Sequence, residues 1–393
     1  MTKRERLLRA LNQKEVDRIP MMYRSLPTLT KSVMKYLNIG NQNDPDIIMK
    51  NYKELFSRLG NIDYSGFGGS MYYSSFAPRF IGEIDKYKFM DAGFCSLFGV
   101  EWSEITIEKY GYSYMVISKN PWADFENPKE VGGLLTKYLK LFDYKNSINF
   151  LLNNGKFSSY YNSEFAKKHL AYDSMKNEDT IINTGIFAAN PFMYCSYLRG
   201  MDNFLLDLAG NKRMAEAIIN EGIEFSLEFN RRSLEQTNIK ADLFTTWDDI
   251  CMQNGMMFSI DMFKKYFLPF WEQIISLVKD HGMMFGWHCC GNVNDVLPLM
   301  IDAGIDMFDV LQTSARDMEV EKFYKKFGKS VCVQGGIDVQ KILTSGTPQD
   351  IKKEVKKIKE LWGNSGDIIL GPSHEALPET PVENILALYG EIN

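Results

Sequence analysis

The stretch SVCVQGGIDVQKILTSGTPQDIKKEVKKIKELWGNSGDIILG, residues 330–371, decides the fold. Its apolar, β-branched runs at Ser330–Gly336 and Asp367–Gly371 predict two strands. Between them, Thr347 followed by a proline predicts a capped helix that ends before Gly363. Strands that are separated by a helix pair in parallel through a crossover, so this segment predicts a strand–helix–strand unit.

The same alternation extends through the rest of the chain. Six further strands are predicted at Pro20–Arg24, Ile62–Gly66, Thr180–Phe187, Ala241–Asp248, Met283–Cys290 and Met307–Gln312. Eight strands with intervening helices favour a closed (β/α)8 barrel over an open sheet, and no Gly-x-Gly-x-x-Gly follows a strand. We predict one α/β domain over residues 1–393, with an N-terminal helical extension that carries a Thr2-x-x-Glu5 capping pattern.

One segment does not follow this alternation. Residues 72–145 are rich in Phe, Tyr and Trp, and Ile105–Ile117 alternates as a β-hairpin does. We expect this segment to be an insertion near the mouth of the barrel. Its aromatic side chains are candidates for a contact in a homodimer.

Composition excludes several classes of function. The formal charge of −5 and the pI near 5.6 argue against nucleic acid or an anionic membrane as a partner. No apolar run approaches the roughly 18 residues of a membrane span, and the N-terminus lacks the apolar core of a secretion signal. Six cysteines, two of them adjacent, do not form a disulfide framework. We therefore expect a cytoplasmic protein whose thiols are available as metal ligands.

The sequence GWHCCGN, residues 286–292, carries the chemistry. Because side chains alternate along a strand, His288 and Cys290 point to one side and Cys289 to the other. Zinc takes such a nitrogen and sulfur pair, but a catalytic site needs a third protein ligand. His374, after the last strand, is the first candidate and Cys332 is the second. A single His-x-Cys is also compatible with an ordinary buried histidine.

Other candidate site residues lie at predicted strand ends. Asp248 is the candidate catalytic residue, as an acid, a base or a group that orients a ligand histidine. Adjacent Asp249 could instead cap the next helix, and Gln334-Gly335-Gly336 could be a plain β–α turn. The candidates for substrate binding are Tyr23, Arg24, Asp249, Gln253, Gln334 and Glu375.

Several motifs resemble the uroporphyrinogen decarboxylase superfamily. They are Arg4-Glu5-Arg6, Asp17-Arg18-Ile19-Pro20, Asp248-Asp249 with Gln253-x-Gly255, His288-x-Cys290-Gly291-Asn292, Gly335-Gly336-Ile337-Asp338 and Thr380-Pro381-x-Glu383-Asn384. The resemblance covers nearly the whole chain. It implies a distorted (β/α)8 barrel, in agreement with the strand count.

The resemblance also separates two branches of the superfamily. Its porphyrin decarboxylases, which use no metal, carry an Arg-Gln-Ala-Gly-Arg segment after the first strand, whereas Met21–Pro27 here lacks that pair of arginines. Its cobalamin-dependent methyltransferases bind zinc through His-x-Cys and a later cysteine, four residues before a Pro-x-Thr-Pro segment. Here His374 stands four residues before Pro378, so the resemblance implies two histidines and one cysteine as ligands.

Three hypotheses follow. The first is a zinc-dependent methyltransferase that moves a methyl group between a methoxy, methylamine or thiol compound and a corrinoid carried on a separate protein. The second is a uroporphyrinogen decarboxylase-like enzyme of tetrapyrrole metabolism. The third is a non-catalytic barrel that binds a corrinoid or another small ligand.

Overall fold

In a computed structural model of the chain, the described residues are 1–44, 47–60, 62–67, 78–80, 98–110, 112–147, 179, 181–184, 190–236 and 240–390. Among these residues, eight parallel strands form one sheet: β1 (Met21–Ser25), β2 (Ile62–Phe67), β3 (Asn183–Thr184), β4 (Leu243–Trp247), β5 (Met284–His288), β6 (Met307–Leu311), β7 (Cys332–Ile337) and β8 (Ile368–Pro372). Each predicted strand is thus confirmed, although residues 180 and 185–187 of the third lie outside the described part.

The sheet curls so that its first and last strands meet. Its order is β2-β1-β8-β7-β6-β5-β4-β3, and β1 pairs with β8 at Met21 and Leu370. Between β2 and β3, the Asn183 amide donates a hydrogen bond of 2.7 Å to the Tyr64 hydroxyl. Neighbours in the chain are therefore neighbours in the sheet, as the (β/α)8 prediction requires.

Helices pack on the outer face of the sheet and bury an extended apolar shell. Those described are Lys3–Leu11, Pro27–Tyr36, Ile47–Leu59, Pro191–Arg199, Met201–Gly210, Lys212–Gln236, Ile260–Tyr266, Leu268–Asp280, Leu297–Ala303, Val320–Phe327, Ile342–Ser345, Pro348–Trp362 and Val382–Gly390. The helix Pro348–Trp362 begins and ends as predicted, because Thr347 forms a capping box with Asp350 and Gly363 ends it with a φ of +54°.

The interior of the barrel changes from apolar to polar along the strands. At the amino-terminal end, Leu7 and Leu11 of the first helix pack on an apolar layer formed by Met22, Tyr64, Ile181, Leu243, Met307, Cys332 and Ile369. Polar side chains lie two residues further along these strands, on the same face: Arg24, Asn183, Thr245, Asp309 and Gln334. The polar layer places the chemistry of the barrel towards the carboxyl ends of its strands.

Part of the predicted insertion is described. Glu101–Ile107 and Tyr112–Lys119 form the expected antiparallel hairpin, and Pro78–Phe80 pairs with Phe142–Ser147. The Trp102 ring meets the Tyr197 ring edge-on at 5.6 Å, which joins the hairpin to the helix Pro191–Arg199. Residues 81–97 lie outside the described part, so the placement of the whole segment at the barrel mouth stays a prediction. None of the helices described is long and apolar enough to cross a membrane.

Candidate metal centre

The end of β5 presents His288 and Cys290 to the same side. Their nearest atoms, His288 Nε2 and Cys290 Sγ, lie 3.3 Å apart. Cys289 is fully buried within the apolar shell between sheet and helices. The strand alternation thus separates one packed thiol from one that can act as a ligand.

His374 joins this pair from the loop after β8. One ligand atom from each of His288, Cys290 and His374 lies within 4.8 Å of the others, which is a group that could hold a metal ion. The other candidate ligand, Cys332, lies in the apolar layer at the far end of the barrel. Burial raises the pKa of the Cys332 thiol, so that it remains protonated.

A carboxylate holds each histidine ring by its Nδ1 atom. His288 Nδ1 donates to Asp309 Oδ2, and His374 Nδ1 donates to Glu375 Oε2 at 2.9 Å. An ionised carboxylate can only accept a hydrogen bond, so the proton of each ring lies on Nδ1. Nδ1 of each ring is thus occupied, which leaves Nε2 as the atom that would bind a metal, the arrangement that carboxylates give to metal-binding histidines.

One arginine lies between the two carboxylates. Arg24 Nη1 donates to both oxygens of Asp309, at 3.0 and 3.1 Å, and its Nε lies 3.2 Å from Glu375 Oε1. Burial by itself raises the pKa of Asp309, but Arg24 and His288 together lower it to about 2. Against the same effect of burial, Arg24 and His374 hold the pKa of Glu375 below its ordinary range. Both carboxylates are therefore ionised at neutral pH.

The surroundings of Cys290 favour the thiolate, the form of cysteine that binds metals. Burial raises its pKa, but the neighbouring His288 and His374 outweigh burial and lower it below the ordinary value. Two imidazole nitrogens and one thiolate are a donor set that zinc accepts. The residues present therefore fit this metal.

A cavity of about 460 Å³ lies beside Cys290 and His374. Thioether, amide and aliphatic groups provide most of its wall. The lining residues are Cys251, Met252, Gln253, Met257, Cys290, Gly291, Gln312, Val339, Gln340, Ser373, His374, Glu375 and Leu377. This mixture of flexible apolar groups and neutral polar groups suits a small organic molecule.

Two predicted site residues are buried with their side chains engaged elsewhere. Asp248 is fully buried, and its carboxylate accepts hydrogen bonds from the backbone N–H groups of Phe192 and Met193, at 3.1 and 2.9 Å. It therefore caps the helix Pro191–Arg199 and does not face the site as we predicted. Tyr23 is also fully buried, with its hydroxyl 3.1 Å from Thr30, so the structure corrects its assignment to substrate binding.

The other predicted residues lie in or next to the centre. Asp249 does not cap a helix; its Oδ1 accepts from the Cys290 N–H at 2.9 Å and lies 3.7 Å from His288 Nε2. Gln253 lines the cavity, in the turn between the short strands Cys251–Met252 and Gly255–Met256. Gln334 donates to Asp309 at 2.9 Å from within the barrel.

Sequence reasoning missed Asp309 and Gln312. Asp309 supports His288, and Gln312 Oε1 accepts from the Gly291 N–H at 2.7 Å and so holds the loop after Cys290. A signal for Asp309 was present, since it is the one charged residue within the otherwise apolar strand Met307–Leu311. A lone carboxylate in a buried strand needs a partner, and that partner is a candidate functional group.

Comparison with known proteins gives one consistent result. A family model described as uroporphyrinogen decarboxylase (URO-D) matches residues 174–393, more than half of the chain. Two curated relatives, each named Methylcobamide:CoM methyltransferase MtbA, also match. The Methanosarcina acetivorans protein is 22% identical over 195 residues, which are 50% of this chain and 53% of the relative. The Methanosarcina mazei protein is 21% identical over 173 residues, 43% of this chain and 46% of the relative.

The chain thus spans about half the length of the curated relatives it matches. A solved structure, a methyltransferase from Methanosarcina mazei, matches over 100% of this chain and 98% of its own, with a TM-score of 0.63 and 18% identity. At this identity the likeness shows the fold, and it agrees with the barrel described above.

Proposed function

This chain belongs to the uroporphyrinogen decarboxylase family, and from that premise we propose that it is a zinc-dependent methyltransferase of a corrinoid system. In this proposal it moves a methyl group between a small methoxy, methylamine or thiol compound and a corrinoid protein. The names of both curated relatives describe methyl transfer from a methylcobamide, which supports this branch of the family.

The observation that carries the proposal is the meeting of His288, Cys290 and His374, with ligand atoms within 4.8 Å of one another. The two histidines come from elements 86 residues apart in the sequence, and each Nδ1 is held by its own carboxylate. Histidines that bind a metal almost always donate their other ring N–H to a carboxylate, a carbonyl or water, and a carboxylate takes this place for both histidines here. A decarboxylase for a poly-anionic porphyrinogen needs cations for its substrate, whereas Arg24 is engaged by Asp309 and Glu375.

His288, Cys290 and His374 would hold the ion. Bound zinc supplies a Lewis acid that polarises the oxygen, nitrogen or sulfur to which the methyl group is attached or to which it moves. The residues of the chain provide the rest: Cys290 contributes a negative charge, and Asp309 and Glu375 keep the imidazoles in their ligand tautomers. Met252, Met257 and the amide side chains of the cavity hold the small molecule beside the centre.

The corrinoid partner is proposed from the accessibility of the centre. The His374 side chain is 47% exposed, while that of His288 is 11% exposed. The centre is therefore open on the side of His374, where the methyl carbon of a second, larger molecule can approach. We place the reaction in the cytoplasm, where thiols stay reduced.

The test compares two neighbouring cysteines. We expect stoichiometric zinc by inductively coupled plasma mass spectrometry in the purified chain and in Cys289→Ala, and its loss in Cys290→Ala. Demethylation of methylcobalamin by a small thiol, followed by absorbance, should show the same pattern. Zinc-free but folded wild-type protein, or Cys290→Ala with full zinc content and activity, would contradict the proposal.

A further inference from the structure

Arg24 is the single side chain that contacts both carboxylates of the centre among the residues described. It lies on β1 with 9% of its surface exposed. Its Nη1 meets Asp309 on β6, and its Nε meets Glu375 in the loop after β8. Each of these carboxylates uses another contact to hold a histidine. The guanidinium therefore connects two histidine–carboxylate pairs that come from distant parts of the chain.

We propose that Arg24 is a positioning residue that sets both histidines of the metal centre at once, through Asp309 and Glu375. This inference rests on the proposed function, because it concerns the same metal. It replaces the prediction that Arg24 binds substrate. The described contacts of Arg24 are with the two carboxylates, and we assign it no catalytic role.

The physical reason lies in the two buried negative charges. Asp309 is 5% exposed and Glu375 is 9% exposed, so solvent screens their repulsion poorly. A cation between them offsets the repulsion and holds both beside the rings that they orient. Without it, the two carboxylates would repel each other and turn apart, and a histidine would lose the group that holds its Nδ1.

The shape of the guanidinium matters as well as its charge. Its planar fork donates a hydrogen bond from Nη1 to Asp309 and places Nε in an ion pair 3.2 Å from Glu375 Oε1, in fixed directions. A lysine ammonium at the same place is a point charge on a flexible stem, and it can satisfy only part of this geometry. We therefore expect Arg24→Lys to retain some of the function of Arg24, and Arg24→Met to retain none.

The experiment measures metal binding rather than turnover. Zinc affinity is obtained by competition with a chromophoric chelator, and the cobalt-substituted protein reports ligand geometry through its thiolate-to-metal and ligand-field bands. Loss of groups that orient ligands lowers metal affinity by roughly 10–100-fold. We expect that loss and altered cobalt bands in Arg24→Met, with a smaller change in Arg24→Lys.

Arg199→Met is the matched control. Arg199 is also buried, at 8% exposure, and its Nε pairs with Asp207 at 2.7 Å, away from the centre. It should lose stability while keeping wild-type zinc affinity and cobalt spectrum. If Arg24→Met does not fold, the zinc affinity and cobalt bands of Arg24→Lys are compared with wild type instead. Lower affinity with altered bands supports the inference, and wild-type values contradict it.

A double-mutant cycle tests the route of the effect. If Arg24 acts through Glu375, the affinity loss of Arg24→Lys combined with Glu375→Gln is smaller than the product of the two single losses. Wild-type affinity and spectra in both Arg24 variants, or multiplicative losses in both this cycle and that with Asp309→Asn, would overturn the inference.

The two proposals fail differently. Wild-type protein that takes up neither zinc nor cobalt overturns the proposed function and this inference together. Metal uptake that depends on Arg24, without methyl transfer to any tested acceptor, removes the activity and leaves the inference standing.

Discussion

Alanine at each histidine of the candidate centre separates metal binding from folding. The His374 side chain is 47% exposed and pairs with Glu375 at 2.9 Å. The His374 side of this pair is half-exposed, and Arg24 remains beside the buried Glu375 when the ring is removed, so His374→Ala should lower the unfolding free energy of metal-free protein by only about 1 kcal/mol. His288 is buried, and its ring satisfies the buried Asp309. Removing the ring leaves a cavity and a carboxylate that lacks one partner, so His288→Ala should cost about 3 kcal/mol or more.

Zinc should then stabilise wild type but neither variant. At a free concentration of about 100 times its Kd, a bound metal adds about 2.7 kcal/mol to the unfolding free energy. Urea denaturation in the presence of a chelator gives the metal-free stabilities, and repetition with buffered zinc gives the increment. The reasoning is refuted if metal-free His374→Ala is as unstable as His288→Ala, or if His374→Ala gains the full wild-type increment from zinc.

Three further predictions concern the stability of the fold. Asp248→Asn should lower the unfolding free energy by about 1–2 kcal/mol through loss of a helix cap, with zinc affinity unchanged in chelator competition. Gly286→Ala places a Cβ 2.8 Å from two neighbouring side chains inside the barrel and should cost about 1–3 kcal/mol in thermal unfolding, whereas Gly132→Ala, with no atom within 4 Å, should cost much less. Arg6 lowers the pKa of Asp17 from 3.8, so this carboxylate stabilises the fold above that pH and loses its effect as the pH falls further. The stability gap between wild type and Asp17→Asn should therefore narrow between about pH 5 and pH 2, and a constant gap would contradict this.

Local sequence patterns predicted the strands and two of the three candidate ligands, His288 and Cys290. Alternation along Met283–Cys290 separated His288 and Cys290 from Cys289, because neighbouring side chains on a strand must face opposite sides. His374 became a candidate because it follows the last strand and the carboxyl ends of barrel strands converge at one mouth. The structure places these three residues together.

Contacts between distant elements were not predictable in this way. Asp248 ends a strand, as a catalytic acid often does, but the N–H groups that it caps belong to a helix more than 50 residues earlier. Arg24 was a candidate for substrate binding because its partner carboxylates, Asp309 and Glu375, lie far along the chain and could not be recognised as its partners. A single sequence shows residue types and spacing, whereas these roles depend on which elements become neighbours in space.

The apolar layer that Leu7 and Leu11 cover at the amino-terminal end of the barrel affects how molecules reach and leave the site. In the part of the chain that the structure describes, this end of the barrel is packed shut, so a molecule bound at His374 enters and leaves at the carboxyl ends of the strands. In an enzyme of the proposed kind, the small methyl compound and the bulky corrinoid protein would use the same entrance. Dissociation of the corrinoid protein would then limit the rate at which the small product is released.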